Sequence, residues 1–107
     1  MNNVIDKGST QKHKFTLPFP YNYIKKFVAT YTDNKGNTII KKETDIGKDV
    51  YIEEDSITIN LSQEDTNLFS FGEIFFQLKC LTNDGNAIYS QIIKFIVRHV
   101  VNNEVIE

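Results

Sequence analysis

The sequence predicts an all-β fold: an antiparallel sandwich of six or seven short strands with one short connecting helix near residues 62–68. Three observations carry this. The apolar residues are mostly Ile, Phe, Val, Tyr and Leu, types that fit a pleated and half-buried surface, whereas Ala occurs twice and Met once. Several short runs alternate apolar with polar residues, most clearly "SITINLS", where Ile57, Ile59 and Leu61 face one way and Thr58 and Asn60 the other. Between such runs lie "DNKGN" and "NDGN", whose glycines supply the positive φ of tight hairpins. A chain of 107 residues, 40% of them hydrophobic, has material for one two-layer core and not for two.

In chain order, residues 1–11 are polar, carry Gly8 and read as a flexible or partner-ordered arm. Residues 12–101 form the sandwich and 102–107 a tail. The first strand, 13–17, turns Phe15 and Leu17 inward and stops at Pro18 and Pro20, because proline cannot donate to a sheet ladder. Phe19 and Tyr21 can then fold over an open end of the core. A strand over 25–32 places Phe27, Ala29 and Tyr31 on one face and turns through Gly36 into "TIIKKE". After the loop "TDIGKD" come "VYIEE" and "SITINLS". The period then changes at "LSQEDTNLF": Ser62 suits a helix N-cap, Glu64 and Asp65 a first turn, and Leu68 and Phe69 the core. Gly72 releases the chain into a strand over 73–82, with Ile74, Phe76, Leu78 and Cys80 on one face, and "NDGN" closes a hairpin with a last strand over 87–100. Strand count, turn spacing and the crossing helix make this sandwich immunoglobulin-like, with a small barrel as the rival.

The last strand poses the functional question. In "QIIKFIVRHVV", Ile93, Phe95 and Val97 point one way while Ile92, Ile96 and Val100 point the other. A strand with one wet face should alternate apolar with polar, so something must cover the second side. Cross-strand arithmetic sets Phe75 beside Ile92 and Ile96 on that face, interrupted by Lys94 and Arg98, a mixture suited to a protein interface. The candidate interface is therefore Phe75, Ile92, Ile96, Arg98 and Val100. Two coverings stand open: the chain's own "LPFPYNY" loop, or a neighbouring molecule.

Chemistry is sparse. His13 and His99 each stand beside a cation, Lys14 or Arg98, and read as surface or packing residues. A Cys80–His99 nucleophilic pair fails on strand arithmetic, which sets Cys80 opposite residues near 87–89. The acidic runs at Glu53, Glu54, Asp55 and at Glu64, Asp65 lack the spacing of a calcium loop, and "NDGN" lacks the closing acid. No glycine-rich phosphate loop, CxxC or HExxH is present, so the expectation is a non-enzyme without catalytic residues, metal or other cofactor. One cysteine excludes an intrachain disulfide.

A formal net charge of −2 gives no electrostatic case for nucleic acid, and no apolar window approaches a membrane span. Lys25, Lys26, Lys41 and Lys42 are the one candidate basic patch. Charge is nevertheless uneven: residues 1–42 hold eight Lys against two acids, and residues 43–107 four basic residues against twelve acids. Such a dipole favours identical subunits meeting head to tail.

The runs "KGSTQKHKFTLPFP", "FVATYTDNKGNTIIKKE", "ITINLSQEDTNLF" and "FFQLKCLTNDGNAIYSQIIKF" resemble a set of short proteins from the structural gene regions of Firmicutes phages and prophages. The likeness spans Gly8 to about Val101 and departs from the pattern at Lys79, where arginine is more usual, and in "GSTQKHK", where the family often has proline. Its motifs are strands and turns and transfer no catalytic residue. The resemblance implies a virion structural protein of the tail or baseplate region with an immunoglobulin-like fold, made in the host cytoplasm and located in the virion. Its partners would be other virion proteins and further copies of itself in a symmetric assembly, without nucleic acid or membrane. Two alternatives stand beside it: a decoration protein of the phage head, and a carbohydrate-binding module using Tyr21, Tyr23, Tyr51 or Tyr89 as stacking platforms.

Overall fold

The computed structural model describes residues 3–16, 23–43, 50–53, 56–98, 100–101 and 105–106, with the side chains of 51–53 left aside. Among these residues nine strands and one helix follow in order: β1 (Val4–Asp6), β2 (Gln11–Thr16), β3 (Ile24–Thr32), β4 (Thr38–Glu43), β5 (Val50–Glu53), β6 (Ser56–Leu61), α1 (Gln63–Asn67), β7 (Gly72–Thr82), β8 (Ala87–Tyr89) and β9 (Ile93–Arg98). They form two sheets. The larger runs β1-β9-β7-β3-β4, with β8 also on β7, and the smaller β2-β6-β5.

This is an all-β sandwich, and its order is that of an immunoglobulin-like domain: β3, β7, β9 and β4 take the places of strands C, F, G and C′, and β2, β6 and β5 those of B, E and D. The short helix sits in the connection between β6 and β7, as its sequence predicts. Strands number more than six or seven because β1 was read as arm and the last strand as continuous. Proline-rich residues 17–22, the loop 44–49, His99, Glu54 and Asp55 lie outside the described residues, so the cover formed by Phe19 and Tyr21 does too.

The N-terminal arm is corrected most. Val4–Asp6 pairs in parallel with Ile96–Arg98 at the edge of the larger sheet, and Ile5 is fully buried. Gly8, with φ of 85°, then turns the chain into the other sheet at Gln11. A polar segment with a single deep apolar anchor joins a sheet because its neighbour β9 offers an unpaired edge.

The core lies between the sheets. Phe27, Ala29 and Tyr31 of β3, Ile57, Ile59 and Leu61 of β6, and Ile74, Phe76, Leu78 and Cys80 of β7 are all buried, each set at alternate positions of its strand. Aromatic rings join the layers. Phe15 of β2 stacks on Phe76 of β7 at 4.5 Å, and His13 of β2 stacks on Phe95 of β9 at 4.5 Å. Tyr31 tilts against Phe69, Phe76 and Phe95 at 5.6, 4.9 and 6.4 Å. Each buried aromatic contributes about 2–3 kcal/mol by area alone, with roughly 1 kcal/mol more from ring geometry.

His13 is thus a core residue. Its Nδ1 shares a 2.7 Å hydrogen bond with the Tyr31 hydroxyl, giving two buried polar groups a mutual partner across the sandwich. Burial holds the imidazole down to a pKa of about 4 and pushes the Tyr31 phenol up, the latter reinforced by the Asp65 charge. With no disulfide available, this His–Tyr bridge and its aromatic surround bind one sheet to the other.

Helix α1 is set by its cap. The Ser62 hydroxyl accepts from the Asp65 backbone N–H at 3.1 Å, and the Asp65 carboxylate accepts from the Ser62 N–H at 2.9 Å. Desolvation is the largest influence on the Asp65 carboxyl and pushes its pKa up, yet the Ser62 amide and Lys42 together bring it below the ordinary value. Thr66 is buried and donates to the Ser9 carbonyl at 2.7 Å, tying the helix to the β1–β2 link. Of the two residues expected to enter the core, Phe69 does so and Leu68 is left 61% exposed, because a single turn aims only one of them inward. Ser62→Ala removes one arm of the reciprocal cap and is expected to lower stability by about 1 kcal/mol, read as a fall in urea midpoint at unchanged slope.

Candidate interaction surface

The β7–β9 hairpin brings the predicted interface together on the outward face of the larger sheet. Phe75 pairs with Lys94 and Glu73 with Ile96, so these side chains stand on one side while Ile74 and Phe95 enter the core. Ile92 and Ile96 are 64% and 40% exposed, so the described residues do not cover them; the "LPFPYNY" cover lies outside those residues apart from Tyr23. Phe75 is half-buried and Val100 lies beyond the end of β9.

The last strand differs from expectation in one respect. It divides into β8 and β9 at Ser90, and the register steps by one residue, from Cys80 opposite Ile88 to Phe76 opposite Ile93. Ser90 makes this break. Its backbone N–H donates to the Leu78 carbonyl at 2.8 Å, and its hydroxyl accepts from the Leu78 N–H at 2.9 Å, doing a ladder carbonyl's work with a side chain. The Gln77 side-chain amide donates to the Ser90 carbonyl at 3.0 Å. The step lifts Ile92 out of the ladder and opens a hollow of about 450 Å³ beside it. Val28, Thr30, Phe75, Gln77, Tyr89 and Ile92 supply most of its walls, and Lys41 and Lys79 stand on its rim.

Much of the charge on this face is paired within the chain. Arg98 donates to Asp6 through Nε at 2.6 Å and Nη2 at 3.0 Å, a bidentate clasp of β9 on β1. The hydrogen bond from Arg98 lowers the Asp6 pKa and raises that of Arg98. Arg98 therefore serves its own strand pair first, which the sequence could not show. Lys94 meets Glu73 at 3.1 Å across the hairpin. Three of the four lysines of the predicted basic patch are ion-paired: Lys26 and Lys41 share Glu43 at 3.2 and 3.8 Å, and Lys42 meets Asp65 at 3.0 Å. The centre of the face thus mixes the apolar Val28, Phe75 and Ile92 with Thr30, Thr32 and Gln77, and ion pairs stand toward its margins.

The described residues hold no cluster of three His, Cys, Asp or Glu side chains in metal-binding proximity. Cys80 is buried, which pushes its thiol pKa up to about 11. Of the four tyrosines considered as sugar platforms, Tyr23 and Tyr89 are exposed, and they stand in different hollows. The Tyr89 ring already carries the Lys79 ammonium 5.2 Å from its centroid. Tyr21 and the Tyr51 side chain lie outside the described residues. No helix among the described residues is long and apolar enough to cross a membrane.

No protein-family model matches the sequence, and no curated protein sequence matches it. Among solved structures, the chain is similar to CopC from Methylosinus trichosporium OB3b, with a TM-score of 0.59 and 12% identity over 94% of this chain and 87% of that one. At that identity the likeness is one of fold. The V domain of amphioxus IgVJ-C2 also aligns, with a TM-score of 0.37 and 15% identity over 88% of this chain and 97% of that one.

Proposed function

We propose that this chain is a non-enzymatic structural protein of a phage particle, an assembly module of the tail or baseplate region that docks other virion proteins on the outer face of its larger sheet. The observation that carries the reading is the hollow around Phe75, Val28 and Ile92, open to solvent, whose two cations already have partners, Lys41 on Glu43 and Lys79 over the Tyr89 ring. Such a surface buries apolar area without stranding a charge, as the centre of a protein interface does. The sequence resemblance to phage structural proteins gives the reading its setting.

Purified protein incubated with isolated particles, and with their separated structural proteins, tests it. Ile92→Glu puts a charge into the hollow and is expected to weaken binding by about a hundredfold, the scale of a hot-spot loss. Because Ile92 is exposed, its thermal midpoint should stay near that of the parent protein. Full binding by the variant, or none by the parent, would remove the proposal. Copy number per particle separates a tail or baseplate place from decoration of the head, and glycan binding lost in Tyr23→Ala would put the carbohydrate reading first.

A further inference from the structure

The exposed large apolar side chains of the described residues are sorted by place. Tyr89, Ile92 and Ile96 belong to the sheet face just described. Others stand toward the two ends of strand β7. Leu68 and Phe71 follow α1 at one end, where Gln63 holds the Ile106 backbone by two hydrogen bonds, while Tyr23 and Ile88 stand at the other. Strand β7 fixes the separation. It begins at Gly72, directly after Phe71, and finishes at Thr82, which pairs with Ile24, directly after Tyr23. Eleven residues of strand span roughly 35 Å.

The two ends carry opposite charges beside exposed apolar residues. At the α1 end Phe71 is 51% exposed, and the Lys7 ammonium lies 5.1 Å over its ring. This is an apolar projection carrying a cation. At the far end a groove of about 480 Å³ is lined by Tyr23, Thr82, Asn83, Asp84, Asn86 and Ile88. Its walls are braced, since the Asn83 N–H donates to the Tyr23 carbonyl at 2.9 Å and the Thr82 N–H to the Asn86 carbonyl at 2.8 Å. Asp84 accepts the Thr82 hydroxyl, which lowers its pKa below the ordinary carboxylate value, so the groove carries an anion at neutral pH. Lys7 and Asp84 form no ion pair among the described residues.

We propose that copies of this chain join end to end, with the Phe71 and Leu68 projection of one seated in the Tyr23–Ile88 groove of the next and Lys7 of the first facing Asp84 of the second. The occupant is a second copy because projection and groove, cation and anion, stand on the same chain at opposite ends of β7. The joined surfaces differ, so the contact is heterologous and repeats, closing to a ring or running on as a filament. The end faces are narrow, so each contact is weak by itself and gains strength from closure or from attachment to a particle. The inference rests on the assembly reading but uses a different surface, so binding to virion proteins and self-association can fail separately.

Sedimentation velocity on the full chain at rising concentration, in low and in moderate salt, tests it. The parent protein should form oligomers that salt weakens. Phe71→Ser and Asp84→Lys should each weaken self-association at least tenfold. An equimolar mixture of the two should give a 1:1 dimer and nothing larger, because the first retains a groove and the second a projection. Ile88→Glu provides a second groove variant that leaves the Thr82–Asp84 turn contact intact, and circular dichroism checks each fold. A parent protein monomeric at every concentration, variants that associate like the parent, or a mixture that stays monomeric would each overturn the proposal.

Discussion

Acidification from pH 7 to pH 4 is expected to cost this protein about 3 kcal/mol of stability through His13 alone. The folded-state pKa is held at about 4 by burial, against 6.5 for the free side chain. The unfolded chain therefore binds a proton on His13 at a pH where the folded chain does not. Stability from this residue is fully present above pH 6.5, falls as pH drops through 6.5, and is lost by about pH 4. At 1.36 kcal/mol per unit, a difference of that size gives the stated figure to order of magnitude. The physical cause is burial: the ring is stacked on Phe95 with Nδ1 on the Tyr31 hydroxyl, away from water. Urea midpoints at half-unit pH intervals should decline with a slope approaching one proton between pH 6 and 4.5. Asp6, Asp33 and Asp84, whose pKa values lie below 3.8, add their own loss only at lower pH. The double variant His13→Phe, Tyr31→Phe removes both partners at similar shape and should flatten that window with little stability change at pH 7. A parent protein equally stable at pH 7 and 4.5 would show that the ring is not held neutral.

What the sequence made legible was local. The Ser62 cap needs only Asp65 three residues on, the turns need Gly36 and Gly85 at positive φ, and the period of two in β3, β6 and β7 follows from side chains that must share a core. Hairpin arithmetic also placed Phe75, Ile92 and Ile96 on one face, since the Gly85 turn fixes the neighbours of β7. What failed was non-local. His13 has the parity of Phe15 in "QKHKFT", which was the available sign of burial, but its partner Tyr31 is eighteen residues away in the opposite sheet. Arg98 reads as an interface residue until Asp6, 92 positions earlier, arrives beside it. The break at Ser90 was hidden too, because a serine that replaces a ladder carbonyl looks like any polar residue in an alternating run. The shared outward face of Phe75, Ile92 and Ile96 was therefore legible from its apolar residues, and its charge pairing was not, because that depends on chain segments that sequence distance separates.

Ile5→Ala is expected to lower stability by about 3 kcal/mol, a core-sized effect from a residue in a polar N-terminal segment. Ile5 is fully buried and is the deep anchor of β1. Around it lie the Asp6–Arg98 clasp and a 2.9 Å hydrogen bond from the Ile96 N–H to the Asn3 carbonyl. Losing the anchor can act in two ways, and the measurement separates them. If β1 stays docked over the cavity, the urea midpoint falls at unchanged slope and the Ile96 amide stays protected from exchange. If β1 peels away, that amide exchanges freely, the slope falls with the smaller area left to expose, and β9 becomes an open strand edge. Ile96→Ala, on the same strand pair but 40% exposed, is the control and should cost under about 1 kcal/mol. An Ile5→Ala protein as stable as the parent would return residues 1–11 to the status of an arm. An edge opened in the variant would also raise aggregation without touching the outer face, so the docking proposed for that face, measured at low concentration, should survive. That outcome would place β1 on the side of protecting the fold and leave docking to the face around Ile92.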